Sequence, residues 1–162
     1  MRLVSILLFA AGCTQSGIDE PVAPAEADVE FFRCEAQPVI AARCSFMDCH
    51  GNDERPFRVY AEQRHRLGVS WSEFETPLLP EELSANFEAA RGFIATSDRD
   101  DHLLTEKPLD TRAGGMFHRG KDLYGADDVF LTRDDIGYQI LLDFAGGQAA
   151  GQDCTPREEV GF

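Results

Sequence analysis

Positive charge is scarce in this chain. Of 162 residues only 15 are Lys or Arg, against 29 Asp or Glu, which leaves a net charge of −14. Such an excess of acid excludes nucleic acid and anionic lipid headgroups as natural partners. It suits a basic patch on a partner protein, and equally a solvated surface that serves solubility. Long apolar runs are absent as well. Leu3 to Ala11 is the one sustained stretch, too short to span a bilayer, and no second one follows. There is no internal repeat. There is no phosphate-cradling glycine loop, and no serine or cysteine nucleophile with a base at diagnostic spacing. Tryptophan occurs once and histidine four times, so each histidine carries weight.

The start of the chain reads as an address. Arg2 precedes the apolar run, which ends in Ala10-Ala11-Gly12-Cys13. That ending resembles a bacterial lipobox, which predicts a signal peptide over residues 1–12 and lipidation of Cys13. Thr14 stands where some lipoproteins carry the Asp that retains them at the inner membrane, so an outer-membrane anchor is the expectation. An ordinary secretory signal with a chance cysteine is the alternative. Residues 13–30 hold few bulky apolar side chains and are rich in Pro, Ala and acid, which predicts a lipidated disordered tether. A flexible chain of that length spans about 23 Å end to end. Residues 31–162 are enough for one compact domain.

The most informative run is Cys44-Ser45-Phe46-Met47-Asp48-Cys49-His50-Gly51. Two cysteines followed at once by histidine, in an exported chain, point to covalent haem attachment. The two thiols form thioethers to the porphyrin edge, and the adjacent imidazole binds the iron. The usual spacing puts two residues between the cysteines; here there are four. No second such run occurs, so the chain predicts one haem c and gives no support to a dihaem peroxidase. Five cysteines then divide cleanly. With Cys13 lipidated and Cys44 and Cys49 on haem, Cys34 and Cys154 remain to form a disulfide across more than 100 residues. Chain entropy credits such a bridge with about 4–5 kcal/mol. Two other readings stay open. Cys34, Cys44, Cys49 and Cys154 can make two disulfides in three pairings with no haem at all. Alternatively Cys44, Cys49 and either His50 or His118 can be offered to zinc.

Helical period appears in three places. Pro38 to Cys44 predicts a helix entering the cysteine run, with proline in its first turn. Pro80 opens a second, with Leu83, Phe87, Ala90 and Ile94 on one stripe and two acids, Glu81 and Glu82, facing the helix dipole. Asp134 to Phe144 predicts a third, burying Ile136, Ile140, Leu141 and Phe144 and stopped by Gly146-Gly147. Phe57 and Val59 suggest a short extended piece or the opening of a helix through Leu67. Leu103 to Arg133 is rich in glycine and poor in helical period, and Asp98 to Asp101 reads as a solvated loop.

The residues also resemble a family. Phe31-Phe32-Arg33-Cys34, Gln37-Pro38-Val39-Ile40, Arg43-Cys44 and Cys49-His50-Gly51 are similar to the haem-binding start of single-haem c-type cytochrome domains, most of all those of exported myxobacterial and planctomycete lipoproteins. Leu103-Leu104, Lys107-Pro108-Leu109, Gly114-Gly115, His118 and Gly120 resemble a second block of the same proteins. The resemblance covers most of residues 31–147. It implies a mostly α, cytochrome c-like helical domain with long glycine-rich loops, its first and last helices packed beside the haem.

His50 is the proximal candidate. Met116 and His118 follow the flexible Gly114-Gly115 pair and, two residues apart, point the same way on an extended backbone, so only one can bind iron. The resemblance favours His118; ordinary cytochrome c chemistry favours Met116; an open distal face is the third possibility. Lys107, Arg112 and Arg119 are candidates to neutralise the propionates. Trp71, Phe117 and Tyr124 are candidates for the haem edge. Met47 is expected to pack on the proximal side, and His65 and His102 to lie at the surface. The expected function is that of a lipid-anchored electron carrier at the cell envelope, outside the cytoplasm, serving a redox partner protein. Its rivals are a disulfide-braced, haem-free binding or structural lipoprotein, and a haem enzyme or gas sensor with an open distal site.

Overall fold

The computed structural model describes residues 25–68, 70, 73–94, 102–118 and 128–151. The expected signal peptide, Cys13, most of the tether, Trp71, Asp98 to Asp101, Arg119, Gly120, Tyr124 and Cys154 therefore lie outside the described residues. The regular secondary structure of the described residues is helical. It holds no strand, only one isolated parallel bridge between Leu109 and Phe130. No helix among the described residues is long and apolar enough to cross a membrane.

The first helical rod is longer than its sequence suggests. It runs through α1 (Val29–Phe31), a π-helical stretch (Phe32–Ala36) and α2 (Gln37–Cys44). Asp28 caps it, its carboxylate accepting the Phe31 amide at 2.6 Å. Pro38 thus sits inside the rod and does not open it. Proline has no N–H to give and crowds the carbonyl one turn back, and the wider π turn lies immediately before it. The tether expected to reach residue 30 is accordingly too long. Val29 and Glu30 are helical, and Ala25 and Glu26 already pack against Gly147.

Helix α3 (Pro80–Gly92) buries the expected stripe: Ala90 and Ile94 fully, Leu83 and Phe87 in part. Glu82 stands in the first turn, as the helix dipole suggests, and is also fully buried. It takes Arg66 Nε at 2.9 Å and Nη2 at 2.9 Å, and the amides of Leu67 and Leu79 at 2.6 and 2.8 Å. Arg66 spends its remaining donors on the carbonyls of Glu73, Phe74, Thr76 and Pro77. Burial works to raise the Glu82 carboxyl, but these donors outweigh it and hold it below the usual range.

The glycine-rich stretch expected to lack helical period carries two short helical turns, α4 (Leu103–Glu106) and a 3-10 turn (Thr111–Ala113). The last helix, α5 (Ile136–Ala145), starts after Asp135, whose carboxylate caps Gly137 and Tyr138. With the cap there, the buried arc is Tyr138, Ile140, Leu141, Phe144 and Ala145. Ile136, expected in the core, is 68% exposed because it lies in the first turn on the far side of that arc. Phe57 and Val59 are buried with Arg58 between them in an extended, irregular segment, and no helix forms through Leu67. Three rings tie the helices together. Phe32 meets Phe144 at 5.3 Å and Phe87 at 5.4 Å, joining the first rod to α5 and α3. Each such pair contributes about 0.5–1.5 kcal/mol beyond its buried area.

Candidate functional site

Helix α2 delivers Cys44 at its last turn, and the next seven residues form a closed loop. The His50 amide donates back to the Cys44 carbonyl at 3.1 Å. The Phe46 carbonyl accepts the amides of both Cys49 (2.8 Å) and Gly51 (2.9 Å). A Cβ at Gly51 would run into the Ser45 carbonyl, so this closure needs glycine. The Asn52 side chain ties down the Met47 and Cys49 carbonyls at 2.6 and 3.3 Å. The two extra residues between the cysteines are absorbed by the bend: Phe46 is 42% and Met47 73% exposed, so Met47 does not pack as expected. Cys44, Cys49 and His50 remain together on one wall of a single cavity of about 500 Å³.

Both thiols are free. Burial, with the neighbouring Cys49, pushes Cys44 up to about 12, against the pull of Arg43 and Arg64. Burial and then Asp48 raise Cys49. Both shifts disfavour the thiolate form. Cys34 is buried and disulfide-bonded; Cys154, its expected partner, lies outside the described residues.

His50 Nδ1 lies 2.7 Å from the Phe57 carbonyl. A carbonyl only accepts, so Nδ1 carries the proton and Nε2 keeps its lone pair. Burial holds this imidazole below its usual pKa; the Phe57 carbonyl opposes that, while His118 and Arg55 add to it. The Phe57 ring meets His50 edge-on at 4.9 Å and Phe93 at 5.2 Å, making the apolar floor.

The facing wall is the segment before His118. Gly115 and Met116 donate to the carbonyls of Asp110 (3.1 Å) and Glu106 (2.8 Å), and Lys107 Nζ reaches the Phe117 carbonyl at 3.3 Å. A Cβ at Gly115 would run into the Leu109 carbonyl. His118 is half-buried and lines the cavity; burial lowers its pKa, Asp128 opposes, and Lys107 and Arg55 reinforce. Its ring centroid is 6.1 Å from that of His50, with the planes 11° from parallel. Met116 is 41% exposed and is not among the lining residues, whereas Phe117 is.

Apolar Phe57, Phe93, Leu104, Pro108 and Val129 make most of the remaining wall. Among the described residues, three cations and one acid line it: Arg43, Arg55 and Lys107 against Asp48. Each cation touches a backbone carbonyl, of Val129, Asp48 and Phe117 respectively, and none touches a carboxylate among the described residues. Sequence reasoning found Lys107 but missed Arg43 and Arg55, which adjoin the cysteine run and could have been read from that proximity. Arg112 is bound to Asp110 instead. His65 and His102, expected at the surface, are largely buried. The Tyr60 ring stacks on His65 at 4.9 Å, and His102 leads into α4 with its carbonyl accepting the Thr105 and Glu106 amides.

The residues present fit a haem. Two near-parallel imidazoles, their centroids 6.1 Å apart, share one apolar cavity with two free thiols, and its three cations could meet two propionates. The residues do not fit zinc: among the described residues no group of three or more His, Cys, Asp or Glu is placed to hold a metal ion. Comparison with protein-family models, with curated proteins and with solved structures finds no match.

Proposed function

We propose that this chain is a cytochrome c-like electron carrier with one covalently bound haem, lipid-anchored through Cys13 at the cell envelope and facing outside the cytoplasm. One observation carries the reading: two free thiols and two near-parallel imidazoles on the walls of a single apolar cavity. Cys44 and Cys49 are the thioether anchors, His50 the proximal ligand and His118 the distal one. The placement of Met116 off the cavity lining favours His118. The Phe57 carbonyl holds the His50 tautomer that presents Nε2. Phe57, Phe93, Leu104 and Val129 keep water from the site, and Arg43, Arg55 and Lys107 receive the propionates. Haem held there supplies reversible one-electron chemistry at a six-coordinate iron, and paired histidines set a lower potential than Met/His ligation. The surrounding acidity suits a redox partner with a basic docking patch. Cys154 is assigned as the partner of the disulfide-bonded Cys34.

The test is a pyridine haemochrome spectrum of the protein expressed with a cytochrome maturation system, with the intact mass alongside. One covalent haem and no carbon monoxide binding by the reduced protein is the expected result. A colourless product with a Cys44–Cys49 disulfide would establish the haem-free lipoprotein instead. Ready carbon monoxide binding would establish an open distal face and a sensor or enzyme.

A further inference from the structure

We infer that Arg64 is a positioning residue for the thiol pair: it holds the long loop after Cys44 in the one shape that returns Cys49 and His50 to the cavity wall. This rests on the haem reading for its purpose, though not for its geometry. The loop closes on itself through the bonds from His50 to Cys44 and from Cys49 and Gly51 to Phe46. Arg64 adds a further constraint from outside the loop, at its Cys44 end. Its Nη1 donates to the Ala41 and Ala42 carbonyls at 2.6 and 3.2 Å, two of the acceptors that the end of α2 leaves without helical partners. The same nitrogen reaches Ser45 Oγ at 2.7 Å, and Ser45 Oγ in turn donates to Ala41 at 2.6 Å. The guanidinium also lies over the Phe46 ring, 4.0 Å from its centroid.

Phe46 is the residue whose carbonyl gathers the amides of Cys49 and Gly51. One cation therefore joins the helix end that carries Cys44 to the loop residue that places Cys49. Arg64 is only half-buried and does not line the cavity, so its action is through the loop and not on a ligand. Lysine would keep one donor nitrogen and the charge but lose the planar guanidinium that lies over Phe46.

The experiment uses the full chain with Cys13→Ser, haem-free, so that Cys44 and Cys49 are the exchanging thiols. The equilibrium between this dithiol and oxidised glutathione, which yields the protein disulfide and two reduced glutathiones, reads how well the sulfurs are held together. Arg64→Met should lower the pair's effective concentration about tenfold, and Arg64→Lys by less, since losing a fixed orientation disperses the two groups. Leu141→Ala, which destabilises the core away from the loop, should leave it within about twofold. An unchanged value in Arg64→Met, or an equal fall in Leu141→Ala, overturns the inference. In cells with the maturation system, Arg64→Met should raise the fraction of chains holding haem by one thioether, read by peptide mass. A wild-type chain that takes up no haem would sink the haem reading alone, because the exchange measurement still decides the role of Arg64.

Discussion

Arg66 and Glu82 form one buried polar centre, and the facing histidines form another. At the first, donors and acceptors answer each other: the Glu82 carboxylate takes two guanidinium nitrogens and two amides, and Arg66 takes four carbonyls besides. At the second, polar capacity stands over. His50 has one nitrogen committed to Phe57, both thiols are free, and the three cations that line the apolar cavity touch no carboxylate among the described residues. The desolvation of a buried ion pair is offset only when its partners are complete, which is what a structural centre needs. A site that binds something keeps its partners incomplete until the ligand arrives. The contrast lies in how completely the polar groups are partnered as well as in how deeply they are buried.

The largest effect should come from breaking the complete centre. Arg66→Met leaves a buried carboxylate without its counter-ion and should cost about 3–5 kcal/mol in urea unfolding. His50→Ala in the haem-free protein should cost less than about 1.5 kcal/mol, one hydrogen bond to a carbonyl. If the two losses come out equal, the contrast is wrong. Next in size is Gly51→Ala, which forces the new methyl into the Ser45 carbonyl and should cost about 1–3 kcal/mol while opening the loop. Its haem-loaded form should show a mixed spin state by electronic absorption, where Arg66→Met, if it folds, should not.

Acid should resolve the two centres by pH. The folded pKa values of His50 and His118 lie below the ordinary 6.5. As pH falls through 6.5 the unfolded chain takes up those protons first, so the haem-free protein loses stability from there downward. His50→Gln with His118→Gln should flatten that slope. Glu82 is held below 4.5, so its contribution is present above 4.5 and is lost only as pH falls through the lower folded value. Glu82→Gln should remove the second slope and leave the first. The smallest effect is expected from Met116→Leu, within about 0.5 kcal/mol and with no spectral change, because that side chain is exposed off the cavity. His118→Ala should turn the haem-loaded protein high-spin and open to carbon monoxide.

Helix α3 and the stop at Gly146-Gly147 were legible because period and punctuation are local. The start of the first rod was not: Asp28 competes with Pro38 as a helix opener, and the burial of Phe31 and Phe32 in the core decides between them. Ile136 misled for the same kind of reason. A four-residue spacing admits it to the apolar stripe, but the arc that faces Phe32 and Phe130 is centred one turn on, around Tyr138 and Leu141. The burial of Glu82 was not legible, because its counter-ion Arg66 lies 16 residues back, beyond any local pattern.

By itself the sequence determined the reagents: two cysteines and a histidine in one run, a second histidine after a glycine pair, and an acidic chain with one cavity's worth of apolar side chains around them. These are matters of residue type and near spacing, which chemistry reads directly. Only the tertiary structure decided which of Met116 and His118 faces His50, and how a four-residue gap can still hold both thiols on one wall. It also decided which arginines line the cavity and which bind elsewhere in the fold. Those outcomes depend on contacts between segments far apart in the chain, as where Arg64 meets the end of α2, and no local spacing encodes them.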